Sequence, residues 1–195
     1  MLSTEVKVMP WKKKPSNVNV DFECYLWYPK LTEDARDHGL NLPENKRGKF
    51  IEADGFYKSD LLISQEVRDQ LKGAVIPDDG LHGNNWQDFD DEKVAGENLY
   101  KYKAKRPHRI KAFMQMDEDG NITNDGVIGT PDLLQDNDGV TTPYDTDRGI
   151  IGNWTKAKVR LLCVDKKVTR IEMVKVLDLE VFDPDELPQD EYHGF

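Results

Sequence analysis

The sequence predicts an all-β domain, an antiparallel sheet that closes most economically as a small barrel with long inserted loops and one short helix. Three observations predict it. Four or five segments alternate apolar and polar residues with period two, and no strand-helix-strand rhythm recurs along the 195 residues. The two late strands, Lys156 to Val164 and Val168 to Phe182, are separated only by Asp165, Lys166 and Lys167, a connection so short that they must run antiparallel.

The first strand is the clearest. From Asn17 to Trp27, Val18, Val20, Phe22, Cys24 and Leu26 share one face and Asn17, Asn19, Asp21, Glu23, Tyr25 and Trp27 the other. Gly55 to Ile63 forms the second and ends at Ser64, which caps a short helix through Val67 and Leu71 that stops at Gly73. His108 to Met116 alternates again, with Ile110, Ala112, Met114 and Met116 opposed to Arg109, Lys111, Phe113 and Gln115. Residues 117 to 149 are rich in Gly, Asp, Asn, Thr and Pro and read as a long excursion with one short strand near Val127 and Ile128. In the late pair, Ala157, Val159, Leu161 and Cys163 face one way while Lys156, Lys158, Arg160 and Leu162 face the other.

Composition narrows the class. A chain with 37% hydrophobic residues, a net charge of −10 and a mean hydropathy of −0.72 suits one soluble domain with generous loops. No stretch approaches the roughly 18 apolar residues of a membrane-spanning helix, so no membrane partner is expected. Met1 to Lys14 has no apolar core of a secretory signal, so a cytoplasmic location is expected. Cys24 and Cys163 lie far apart at apolar positions and read as buried free thiols, not as a disulfide or a zinc pair.

Charge is segregated. Residues 78–92, 117–147 and 183–195 carry six, nine and five acids and no Lys or Arg, so the rest of the chain nets +10. That positive charge gathers on strands and their approaches, as Lys101, Lys103, Lys105, Arg106, Arg109 and Lys111, and as the ladder Lys156, Lys158 and Arg160. Tyr25, Trp27 and Phe113 stand on the polar faces beside these bases. Rings on a non-core face interleaved with cations are what a single-stranded nucleic acid requires, since unstacked bases need planar platforms and the backbone needs counter-charge. Trp11 beside Lys12 to Lys14, and Tyr57 beside Lys58, are secondary candidates.

Residues 183–195 combine two prolines, five acids and a terminal aromatic, and read as a flexible acidic tail following a domain of residues 1–182. Asp185, Glu186, Asp190, Glu191 and Phe195 could be captured by a basic pocket on a partner, or lie in the protein's own basic groove.

With the segment Gly55-Phe-Tyr-Lys-Ser-Asp-Leu-Leu-Ile63 before a short helix, the strand pair Lys156 to Val164 and Val174 to Phe182, and the tail ending in Phe195, the chain resembles the bacteriophage single-stranded DNA-binding proteins, whose acidic tail ends in phenylalanine. The resemblance implies an OB-fold, a five-stranded Greek-key barrel. It further implies non-catalytic binding and protection of single-stranded DNA in phage replication and recombination, in the cytoplasm of the infected host. It implies no cofactor, a tail that recruits phage DNA polymerase and helicase/primase while screening the DNA site, and homodimerisation through tail or sheet. Its departures are a short tail interrupted by Pro188, Gln189 and His193, and acidic loops at 78–92 and 117–147 longer than a minimal barrel needs.

Two other classes compete. A metal-dependent nuclease would hold Mg²⁺ on clustered Asp residues near a basic groove, but the sequence has no His-rich set, no Walker-type loop and no zinc-ligand pairs. Asp117 to Asn121 and Asp136 to Gly139, which suggest calcium loops, miss the EF-hand spacing and read as turns. His38, His82, His108 and His193 are dispersed, and no metal site is expected. A phage protein-interaction module fits the acidic balance and leaves the basic aromatic faces without a role.

Overall fold

The computed structural model describes residues 17–75, 86–89, 99–165 and 168–183. Ten strands form in chain order: β1 Asn17–Lys30, β2 Phe56–Ile63, β3 Trp86–Phe89, β4 Leu99–Pro107, β5 Gln115–Met116, β6 Ile122–Asn124, β7 Asp132–Asn137, β8 Val140–Pro143, β9 Lys156–Val164 and β10 Val168–Asp178. Two α-helices join them, α1 Gly48–Ala53 and α2 Gln65–Val75. The protein is mostly β, and no helix among the described residues is long and apolar enough to cross a membrane.

Eight strands make one sheet in the order β3-β4-β2-β1-β9-β10-β7-β8, and β5 and β6 form a separate hairpin. Every pairing in the large sheet is antiparallel except β10 with β7. The backbone ladder does not close on itself, which corrects the closed barrel expected from the sequence. The reason lies at β4 and β10: β3 takes the edge of β4 at Leu99 to Tyr102, and β7 takes the edge of β10 at Met173 to Val176.

Side chains join the two strands across this gap. The Tyr102 hydroxyl bonds the Thr169 hydroxyl. Arg106 reaches across to the Ile171 carbonyl at 3.2 Å and the Glu172 carboxylate at 2.8 Å. Its other donors meet the Gly129 and Ile128 carbonyls, each at 2.8 Å. Arg106 lies on the inward face of β4, next in the alternation after Tyr102 and Ala104 of the core, and is only 8% exposed. Its expected role as a phosphate contact is therefore corrected: every nitrogen is spent on the seam.

The core follows from the alternation. Val20, Phe22, Cys24 and Leu26 of β1 meet Leu61 and Ile63 of β2, Ala157 to Cys163 of β9, and Ile171, Val174 and Val176 of β10. Ser64 caps α2 as the sequence indicates, accepting from the Val67 amide at 3.3 Å, and the helix seats Val67 and Leu71 on the core. It continues through Gly73 to Val75. Both cysteines are free and buried, and burial raises their thiol pKa values, that of Cys163 to about 11. Neither is expected to react with a disulfide thiol reagent at neutral pH until urea unfolds the chain, and a fast native reaction measured by absorbance would contradict this packing.

The expected strand from His108 to Met116 does not form. Its sequence becomes an isolated bridge at Arg109, a single 3₁₀ turn at Lys111–Phe113 and the two-residue β5. The ladder instead occupies the basic stretch just before it, and stops at Pro107, which has no N–H to extend it. Near the expected strand at Val127 and Ile128 there is only the bridge between Arg109 and Val127. The excursion does hold regular structure further on, as the hairpin β7–β8 packed beside β10. Asp117 makes the turn expected of it, accepting from the Asp119 and Asn121 amides at 3.1 and 2.7 Å.

Candidate nucleic-acid interface

Because β1 buries Val20 to Leu26 inward, Tyr25 and Trp27 point to the opposite face of the sheet, where both are half-buried. Register then decides their neighbours. Tyr25 pairs with Leu62, which pairs with Lys101, and on its other side Tyr25 pairs with Lys156. Trp27 pairs with Asp60, which pairs with Lys103. Lys30 pairs with Lys58, which pairs with Lys105. The outer face of β1, β2 and β4 is thus a strip in which the lysines of β2 and β4 run alongside the rings of β1.

Two further rings complete it. Trp154, in the turn before β9, stands edge-on to Trp27 at 5.1 Å and to Tyr25 at 6.1 Å between ring centroids. Tyr28 stands edge-on to Trp27 at 5.1 Å. Both extra rings sit on left-handed backbone, with φ of 47° at Tyr28 and 70° at Trp154. Among the described residues, the other non-glycine positions of positive φ are all aspartates, which tolerate that region; a bulky aromatic there stores roughly 1–3 kcal/mol of strain.

The surroundings hold these conformations in place. The Tyr28 amide donates to the Asn153 side-chain oxygen at 2.7 Å, just where the β1–β2 register slips by a bulge. The Trp154 amide donates to the Leu26 carbonyl, and the Leu26 amide donates to the Thr155 carbonyl, both at 2.9 Å. The fully buried Thr155 hydroxyl bonds the Glu180 backbone. Gly152 lies so close to the Phe182 backbone that a Cβ would come within 2.7 Å of its nitrogen. The segment that carries Trp154 is thus clamped between β1 and the chain after β10.

The cations differ in how far they are engaged. Lys103 and Lys105 are exposed, and the Lys105 ammonium lies 4.9 Å from the centre of the Phe56 ring. Desolvation, and then the Lys49 charge, hold the Lys105 pKa below the ordinary lysine value. Lys101 comes within 4.0 Å of Asp60. On β9, Lys156 pairs with Glu23 at 3.2 Å, and exposed Lys158 stands across from Glu23 and Lys175. Arg160 is held by a two-pronged bond to Asp21, both distances 2.7 Å, and that hydrogen-bonded guanidinium lowers the Asp21 pKa.

The structure therefore brings together Tyr25, Trp27, Lys101, Lys103, Lys105 and Lys156, with Lys158 at the margin. It sets apart Phe113, 49% exposed on the turn beyond β4, and Arg109 and Lys111, which lie 3.9 Å from Asp54 and 3.8 Å from Glu52. Tyr57 is fully buried, its hydroxyl between Glu33 and His108, and is no platform for a base. Trp11, Lys12 to Lys14, Asp185, Glu186, Asp190, Glu191 and Phe195 lie outside the described residues. Sequence reasoning missed Trp154, Tyr28 and Lys30, and had Lys58 only as the neighbour of the secondary candidate Tyr57. Trp154 had a signal, because it shares the parity of Lys156 and Lys158.

No protein-family model matches this chain, and no curated protein or solved structure does either.

Proposed function

We propose that this face binds single-stranded DNA with little sequence preference and without catalysis. Bases stack on Tyr25, Trp27, Tyr28 and Trp154, and phosphates run along Lys58, Lys101, Lys103, Lys105 and Lys156. The observation that carries the reading is the pair of aromatic residues held on left-handed backbone beside a lysine-lined strip. Strain of that kind is retained where a site requires it, and the four clustered rings lie on the side of the sheet away from the main core, where Tyr25 covers the buried Leu62.

The finer fold reading belongs with this proposal. The strands β1, β2, β4, β9 and β10 lie in the adjacency of a five-stranded OB-type barrel, with β4 and β10 parallel and facing each other. Their side-chain seam supports that reading, with β3, β7 and β8 as additions at the two edges. In the same proposal the chain acts in phage replication and recombination inside the host cytoplasm, forms a homodimer, and uses residues 183–195 to recruit polymerase or helicase/primase.

The test is a salt titration of binding to a fluorescent oligothymidine and to a duplex of equal length, using the full chain and one ending at Phe182. The expected result is preference for the single strand, strengthened by truncation. Lys103→Ala should flatten the log-log salt slope by about 0.7, the value of one phosphate contact on a single strand. No binding by either form at low salt would overturn the reading.

A further inference from the structure

Asp60 is the single acid that the described β2 and β4 contribute to the lysine-lined strip. It stands in register between Trp27 and Lys103, with Lys101 at 4.0 Å, and its side chain is 24% exposed. A carboxylate inside a phosphate-binding strip repels the backbone of the ligand, so its place there calls for something that phosphates do not supply. Directly paired residues on antiparallel strands have Cβ atoms about 4.5–5.5 Å apart. The Asp60 carboxylate therefore lies beside the Trp27 indole, where the edge of a base stacked on that ring would come.

An ionised carboxylate can only accept hydrogen bonds. Cytosine offers it the N4 amino group, whereas uracil and thymine place a carbonyl oxygen at the same position. We propose that Asp60 accepts a hydrogen bond from the exocyclic amino group of the base stacked at Trp27 and biases the strip towards bases that carry one. This rests on the single-strand reading of the face and adds a modest compositional preference to it. Burial pushes the Asp60 carboxyl above its ordinary value, against the pull of Lys101, Lys103 and Lys58, so the comparison is made at pH 8, where protonation is least.

The experiment titrates the full chain with fluorescent homopolymers of deoxycytidine and deoxyuridine of equal length, which differ in the 4-amino against the 4-oxo group and the accompanying N3 proton. The expected result is about fivefold tighter binding to the cytosine strand, the size of one modest base-edge contact. Asp60→Asn, nearly equal in shape and able both to donate and to accept, should bring the ratio close to one, with its fold checked by thermal unfolding. Equal affinity of the unaltered protein for both strands would overturn the assignment without any variant. Discrimination that survives Asp60→Asn would place it elsewhere. Failure to bind either strand would instead overturn the single-strand reading itself.

Discussion

Trp154→Ala is expected to weaken binding to a single-stranded oligothymidine by about 1–3 kcal/mol, the range measured for loss of one base–aromatic stack. The ring is half-buried and stands edge-on to Trp27 and Tyr25 outside the main core, so the melting temperature should move little by comparison. Trp27→Ala should behave alike, and the two losses should not add, because each ring orients the other. Phe113→Ala provides the contrast, since its turn lies beyond the end of β4 and the expected change is less than twofold. Fluorescence anisotropy at one salt concentration reads all five proteins, the unaltered chain, the three single variants and the Trp27/Trp154 double variant. Equal affinity of the Trp154 variant and the unaltered chain would remove the aromatic cluster from the site.

Arg106→Met carries the second large effect, on stability. Methionine fills part of the same space but donates nothing, leaving the carbonyls of Ile128, Gly129 and Ile171 without the donors they now have and the Glu172 carboxylate with Arg170 alone of its two arginine partners. Removing one partner of a buried charged pair costs about 3–5 kcal/mol. For a chain of this size that is a fall of roughly 6–20 °C in melting temperature. At a temperature where the variant is folded, its single-strand affinity and salt slope should match those of the unaltered protein. A stable variant with a slope flattened by about 0.7 would show that Arg106 contacts phosphate instead.

These two residues also show how far the sequence can be read. Period-two alternation located β1, β2, β9 and the start of β10, because strands buried on one face leave that trace. The same alternation misled at His108 to Met116. There the bond from the Ile110 amide to the Gly126 carbonyl and the turn at Lys111–Phe113 outweigh the pattern. Arg106 reads as one more member of a basic run, and only its parity with Tyr102 and Ala104 marks it as inward-facing. Trp154 was legible by parity with Lys156, whereas Tyr28 was not. A bulge after Trp27 puts it beside Trp27, and that bulge depends on Asn153, 125 residues further along the chain. Local patterns thus identified the rings on regular strand, and a long-range contact supplied the ring that pattern alone would have turned inward.

The seam between β4 and β10 bears on how the molecule behaves in company. Unpaired strand edges are templates on which another chain can add itself, and a sheet left open in the middle of its β-rich path would offer two of them. Here β4 and β10 are turned towards each other and bridged by Tyr102 with Thr169 and by Arg106 with Ile171 and Glu172, which obstructs an incoming strand at either edge. On the β7–β8 side, the outermost strand among the described residues is β8, which is four residues long and ends in Pro143, a residue with no N–H to donate to an incoming strand. The seam and the β8 edge are thus poor templates for a further strand, although the ladder between β4 and β10 stays open.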